Sequence, residues 1–179
     1  RLYLLGNEGL ENEFVQARSA KDGQRVWSSR VGKVGNPKQE PNYPAARSTP
    51  TVEGKVLYAL GSDGDLVCLE TATGKERWRK NLRTDFGGQP GEWAYAESPL
   101  IDGDKLICTP GGTNATLVAL NKKTGGVIWK CAVPDGDAAA YASAIIVEAG
   151  GVKQYVQFLA KGLVGVEAKT GKFLWRYEK

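Results

Sequence analysis

Four tryptophans, each preceded by the same tight turn, constrain the fold of this chain more than any other feature. The segments are Asp22-Gly23-Gln24-Arg25-Val26-Trp27, Thr73-Gly74-Lys75-Glu76-Arg77-Trp78, Thr124-Gly125-Gly126-Val127-Ile128-Trp129 and Thr170-Gly171-Lys172-Phe173-Leu174-Trp175. A glycine stands four residues before each indole, and the tryptophans recur at intervals of 51, 51 and 46 residues. Upstream of each turn lies an apolar strand: Phe14–Ala17, Leu66–Leu69, Leu117–Leu120 and Leu163–Val166. Earlier still come Leu2–Leu4, Val56–Leu60, Leu106–Cys108 and Tyr155–Phe158. A short segment opens three of the units, at Ser48–Val52, Glu97–Ile101 and Ala142–Ile146. Each full unit therefore reads as four short strands. Glycine after Thr or Asp supplies the positive φ of a tight turn before the fourth strand, and Asp63-Gly64 does so between the second and third. No helical periodicity extends over ten residues, although the Ala-rich Asp137–Tyr141 is compatible with a single helical turn.

Units of about 50 residues, all strand, match the blades of a β-propeller. The expected architecture is all-β: a partial propeller of about four antiparallel four-stranded blades. Its parts are a partial blade over 1–33 and blades over 46–82, 97–132 and 142–179. The first unit begins at its second strand and so lacks an inner one. An open arc is expected, either cut from a propeller of about seven or eight blades or completed by another chain.

Composition excludes several functions. The chain has 179 residues, 25% of them charged and 41% apolar, as in globular proteins. It contains no histidine, which removes a Ser-His-Asp triad, imidazole metal ligands and haem attachment. The net charge of +4 is spread along the chain, and its tightest basic cluster, Arg77-Trp78-Arg79-Lys80, alternates like a half-exposed strand. Nucleic-acid binding needs a denser stripe. No apolar run approaches the roughly 20 residues of a membrane helix, so membrane insertion is not expected. Cys68, Cys108 and Cys131 lie far apart and read as buried small hydrophobes. Ser62-Asp63-Gly64-Asp65 and Asp135-Gly136-Asp137 look like pieces of calcium loops, but no glutamate follows at the required spacing, so both read as turns. The sequon Asn114-Ala115-Thr116 falls at a hairpin tip.

The pattern Ala-x-Asp-x-x-Thr-Gly-Lys-x-x-Trp resembles the tryptophan-docking motif of pyrroloquinoline-quinone-type (PQQ-like) propeller repeats. It is carried by Ala17 to Trp27, Cys68 to Trp78, Ala119 to Trp129 and Gly165 to Trp175, with Ser19, Glu70, Asn121 and Glu167 in the Asp position. The resemblance covers essentially the whole chain. It implies that Trp27, Trp78, Trp129 and Trp175 dock at the seams between blades, where an indole supplies a large apolar area and needs one acceptor for its N–H. Structure, and not activity, is what these residues report.

Function is expected in the connections from the outer strand of one blade to the inner strand of the next, which in this family open on a funnel. The connections are Arg30–Arg47, Arg83–Glu97 and Val133–Tyr141. Tyr43, Arg47, Trp93, Tyr95, Glu97 and Tyr141 are the residues expected to line a shared funnel surface for a planar ligand or a peptide. The competing reading is that these aromatics plug the connections onto the blades. The resemblance implies a non-catalytic binding or scaffolding module of the bacterial cell envelope or periplasm, similar to BamB-like assembly factors. Such a module has no catalytic residue, metal or cofactor, and its partner is a protein or the remainder of the propeller. The alternative is part of a quinoprotein (PQQ-dependent) dehydrogenase, which would add PQQ and calcium. That class covers its quinone with an adjacent-cysteine disulfide, and this chain has no adjacent cysteines. A glycan-binding propeller, with Trp93 and Tyr95 as stacking platforms, is a third reading.

Overall fold

A computed structural model describes residues 1–38 and 46–178. Among the described residues, fifteen strands form four antiparallel sheets. The first sheet comprises β1 (Leu2–Glu8), β2 (Asn12–Arg18) and β3 (Arg25–Lys33). The second contains β4 (Thr51–Glu53), β5 (Val56–Leu60), β6 (Asp65–Glu70) and β7 (Glu76–Asn81). The third contains β8 (Leu100–Asp102), β9 (Lys105–Cys108), β10 (Leu117–Asn121) and β11 (Val127–Cys131). The fourth contains β12 (Ile145–Ala149), β13 (Val152–Leu159), β14 (Gly162–Glu167) and β15 (Phe173–Tyr177). Strands follow one another in chain order within each sheet, as in a propeller blade, and the first sheet has three strands.

The repeated turn has one structure in all four copies. The glycine N–H of Gly23, Gly74, Gly125 and Gly171 donates to the carbonyl of Ser19, Glu70, Asn121 and Glu167 at 2.8–2.9 Å. The φ angles of these glycines lie between +73° and +77°, which a side chain would strain. The residues in the motif's Asp position hold the turn from their side chains. Ser19 Oγ accepts from Lys21 N–H, Asn121 Oδ1 accepts from Lys123 and Thr124 N–H, and Glu70 and Glu167 accept from Thr73 and Thr170 hydroxyls.

Each tryptophan lies directly across from a small residue: Ala17, Cys68, Ala119 and Gly165. A β-bulge follows that pair in every sheet, between Ala17 and Arg18, Cys68 and Leu69, Ala119 and Leu120, and Gly165 and Val166. A bulge adds a residue on one strand and re-aims the side chain beside it. Trp27, Trp78 and Trp129 lie against the following sheet, on Gly74, Gly125 and Gly171. Trp27 Nε1 donates to Thr71 O at 3.2 Å and Trp78 Nε1 to Lys122 O at 3.0 Å. The hydroxyls of Tyr3 and Tyr58 donate to those same two carbonyls. In the third seam Ile107 occupies the tyrosine position, and Trp129 Nε1 is buried without a hydrogen-bond partner among the described residues. Tyr155 approaches Trp129 from the fourth sheet instead, with ring centroids 6.0 Å apart, and donates to Asp102 Oδ2 at 2.6 Å.

The core is divided among the three seams. Val15, Val31, Leu57, Ala59, Val67 and Leu69 fill the first. Tyr58, Leu66, Cys68, Leu106, Cys108 and Leu120 belong to the second, and Ile107, Leu117, Trp129, Cys131, Tyr155 and Val164 to the third. The middle strands are therefore buried on both faces, which explains runs such as Leu66–Leu69 and Leu117–Leu120 that do not alternate. All three cysteines are buried and unpaired, and burial pushes the thiols of Cys68 and Cys131 up to about 11.

One short element was not anticipated, and one local expectation needs correction. The second connection opens with a helix, α1 (Leu82–Phe86). Asn81 caps its first N–H groups, the Asp85 carboxylate accepts from Asn81 N–H at 3.0 Å, and Gly87 closes it at φ +63°. Asp137–Tyr141 makes no helical turn. Ala139 bridges to Leu159 and donates to Gln89 O, and Asp137 is drawn into an ion pair with Arg176.

Candidate functional site

The connections between sheets are joined to each other at one end of the arc. Asn36 in the first connection donates to Glu92 O of the second at 2.8 Å, and Ala139 of the third donates to Gln89 O of the second. Just before β8 and β12, a serine hydroxyl takes a backbone N–H of the unit before it. Thr49 N–H donates to Ser98 Oγ at 2.9 Å, and Ser98 N–H to Ser143 Oγ at 2.8 Å. This belt was not anticipated from sequence, although Thr49, Ser98 and Ser143 occupy one repeat position.

On that frame the second connection makes a tight turn, with Ala94 N–H donating to Gly91 O. Ala94 has φ +66°, a left-handed conformation that costs a non-glycine residue about 1 kcal/mol or more. The turn sends Trp93 outward and Tyr95 inward. Trp93 is 40% exposed and Tyr141 is 46% exposed, while Tyr95 is 1% exposed. Tyr141 Oη accepts from Trp93 N–H at 3.2 Å, and the Tyr141 ring lies on Gly91, where an added Cβ would fall 2.7 Å from that oxygen. The half-buried Arg47 places its guanidinium 5.4 Å from the Trp93 ring centroid, within cation–π range.

The structure thus brings Arg47, Trp93 and Tyr141 into one surface cluster. Tyr95 and Glu97 lie beneath it. The Tyr95 hydroxyl donates to Pro110 O at 2.8 Å, its N–H donates to Ser62 O, and burial raises its phenol above the ordinary value. Glu97 is 3% exposed and accepts from Thr109 N–H at 2.5 Å. Burial pushes its carboxyl up to about 7. Tyr43 lies outside the described residues.

A second buried carboxyl supports the first connection. Glu13 accepts from Ser62 N–H at 2.7 Å and from Ser62 Oγ at 2.5 Å, and Ser62 Oγ in turn accepts from Gly35 N–H at 2.8 Å. Burial raises the Glu13 carboxyl above the ordinary range, with the Ser62 bonds acting against that rise. Nearby, Arg83 pairs with Asp63 at 2.7 Å. Glu13 was missed because a lone glutamate in an alternating strand reads as solvent-facing; only its partner across the seam reveals it.

Chemically the cluster offers aromatic faces and one guanidinium, which suits recognition. A groove of about 460 Å³ runs along the inner strands past Thr51, Ser98, Leu100 and Ser143, and a larger one of about 550 Å³ lies between the third and fourth sheets, lined by Asp102, Lys105, Lys153 and Glu167. Neither groove reaches Trp93. Among the described residues no group of three or more His, Cys, Asp or Glu is placed to hold a metal ion, and the cysteines sit singly in β6, β9 and β11. Among the described residues no helix is long and apolar enough to cross a membrane.

Comparison with known proteins agrees with this architecture. The family model described as "Outer membrane protein assembly factor BamB" matches residues 11–178. The chain is 26% identical over 123 residues to the outer membrane protein assembly factor BamB of Salmonella typhimurium, covering 68% of this chain and 28% of that protein. It is 25% identical over 170 residues to the quinoprotein alcohol dehydrogenase PedH of Pseudomonas putida, covering 91% of this chain and 27% of that enzyme. The crystal structure of BamB from Moraxella catarrhalis superposes with a TM-score of 0.59 at 17% identity, over 98% of this chain and 47% of that one. The chain thus spans less than a third of these two curated relatives, and the structural likeness is one of fold. With a match from residue 11 to 178, four repeated docking turns and four blade-like sheets, the chain belongs to the PQQ-like propeller family described by the BamB model.

Proposed function

We propose that this chain is a non-catalytic binding module of the bacterial cell envelope and that the Arg47–Trp93–Tyr141 surface is its contact face for a protein partner. The observation that carries this reading is Trp93, a large aromatic held outward on a strained turn whose neighbour Tyr95 is anchored in the interior. Aromatic residues fixed on a rigid support are the usual anchors of interfaces. The envelope assignment rests on likeness to proteins named outer membrane protein assembly factors.

The test uses the immobilised chain to capture partners from a bacterial envelope extract. Trp93→Ala and Tyr141→Ala are expected to lose the captured species while melting as the wild type does. Equal capture by wild type and both variants would sink the proposal.

Part of a quinoprotein dehydrogenase is the second reading, favoured by the match to PedH over 91% of this chain. Titration with PQQ and Ca²⁺ distinguishes it. On our reading neither a bound chromophore nor a thermal shift appears. A glycan-binding module would use Trp93 with Tyr141 as its platform, since Tyr95 is buried, and a glycan array reports on it directly.

A further inference from the structure

The net charge of +4 is spread through the sequence but not through the fold. Antiparallel pairing puts the β4–β5, β8–β9 and β12–β13 turns at the same end of their sheets as the docking turns of Gly74, Gly125 and Gly171. The long connections leave from the other end. Thr71, Lys122 and Ala168, beside the docking turns, donate their N–H groups to Lys55 O, Asp104 O and Lys153 O of the adjoining turns. Each of these docking turns presents its glycine to an indole of the preceding sheet, which leaves the flanking positions to solvent.

Those positions hold lysines. Lys123 and Lys169 each stand two residues before a turn glycine, Lys75 and Lys172 each stand one residue after, and Lys55 lies in the β4–β5 turn. All five are exposed, and among the described residues none of them makes an ion pair. In the turn-end halves of the same sheets the exposed acids Glu53 and Glu76 are paired with Lys122 and Arg79, which leaves Asp104 and Glu148. At the connection end, by contrast, Lys33 and Arg83 converge on Asp63, and Arg176 pairs with Asp137. The turn end also exposes apolar side chains between its lysines. Val127 and Ile128 follow the Gly125 turn, Val52 precedes the β4–β5 turn and Val152 follows the β12–β13 turn, each 36–46% exposed.

We propose that the turn end of the sheets docks on an anionic phospholipid surface, with lysines on headgroup phosphates and the exposed valine and isoleucine side chains in the interfacial layer. Three observations select a lipid surface as the occupant. Lys55 and Lys123 flank one seam groove and Lys169 another, so no single ligand pocket gathers them, whereas a plane of phosphates meets them together. All five are ammonium groups, point charges that suit a fluid headgroup layer, while recognition of individual phosphates or carboxylates favours the guanidinium fork. Apolar residues interleaved with lysines match the boundary between headgroups and acyl chains and have no counterpart on a soluble polyanion. The protein lies on such a surface and does not span it. Docking this way leaves the Arg47–Trp93–Tyr141 face, at the opposite end of the sheets, turned away from the lipid. Lipid docking and protein capture at that face are independent properties.

Sedimentation with vesicles tests this, using the 179-residue chain and phosphatidylglycerol mixed with phosphatidylcholine at about one to two, against phosphatidylcholine alone. The chain is expected to pellet with the mixed vesicles only, and to be released as salt rises from about 0.05 to about 0.5 M. Lys123→Gln combined with Lys169→Gln is expected to weaken binding about tenfold or more, since each lysine near an anionic surface strengthens binding roughly fivefold. Lys33→Gln combined with Lys130→Gln removes the same net charge at the connection end and is expected to bind as the wild type does. Ile128→Ser is expected to weaken vesicle binding while leaving any binding to duplex DNA unchanged. The proposal is overturned by no binding to the mixed vesicles, by equal binding to neutral ones or by equal losses in the two double variants. Tighter binding to duplex DNA than to the vesicles would assign the lysines to nucleic acid and overturn it as well.

Discussion

Glu97 shows how far a single position can depart from the surface role its charge suggests. Its carboxyl is shut away from water with one backbone donor, and burial raises its affinity for a proton up to about pH 7. The folded state therefore prefers the protonated acid. The stability this provides is full below the ordinary carboxyl value of 4.5 and is lost as pH rises through about 7. Glu97→Gln keeps an acceptor for Thr109 and removes the titration. Its urea midpoint is expected to stay flat across that window while the wild type falls, leaving the variant about 3 kcal/mol more stable above the transition. Parallel pH profiles would show that Glu97 does not carry the dependence. Position in sequence did not separate Trp93 from Tyr95 or Glu97. A connection has no period from which inside and outside can be told apart, and here the direction is set by one left-handed residue, Ala94. The docking tryptophans were legible for the opposite reason, since turn and strand alternation fix their direction.

At the scale of elements, strands of five or more residues were readable because pattern and turn chemistry agreed. The helix α1 is too short to show periodicity, yet Asn81, Asp85 and Gly87 spell out its start and stop. The third connection shows tertiary contacts overriding local preference. Its alanines favour helix, but Asp137 is buried against Arg176 at 2.7 Å and accepts from Lys161 N–H, which straps the connection to β15 and to the β13–β14 turn. Removing the Asp137 charge leaves the largely buried Arg176 with only the exposed Glu178, at 3.1 Å, as its ion partner. Asp137→Asn is accordingly expected to cost about 3 kcal/mol, with faster amide exchange over residues 133–141. Unchanged exchange there would show that the strap does not hold the connection.

Across the whole molecule, three separate clusters of apolar side chains replace a single core, so the chain behaves as a row of neighbours. Damage at one seam should then stay near that seam. Gly125→Ala forces a methyl against Trp78 and adds an unfavourable φ, so a loss of roughly 2 kcal/mol or more is expected. In a Trp78→Ala background the clash is gone and only the backbone cost of about 1 kcal/mol remains. Denaturation of the two single variants and the double variant reads that coupling. Additive losses would mean that indole and glycine do not meet as described.

The hydroxyl belt of Thr49, Ser98 and Ser143 has a consequence for how such a protein changes over time. The backbone N–H groups of Thr49 and Ser98 are anchored just before β4 and β8, so exposed positions such as Trp93 and Tyr141 can differ without disturbing the sheets, while Tyr95, Glu97 and Asp137 within the same connections are held by burial. The scaffold is thereby insulated from its own recognition surface. Exposed positions such as Trp93 and Tyr141 can then be exchanged for new specificities while the serine hydroxyls keep the blades in step.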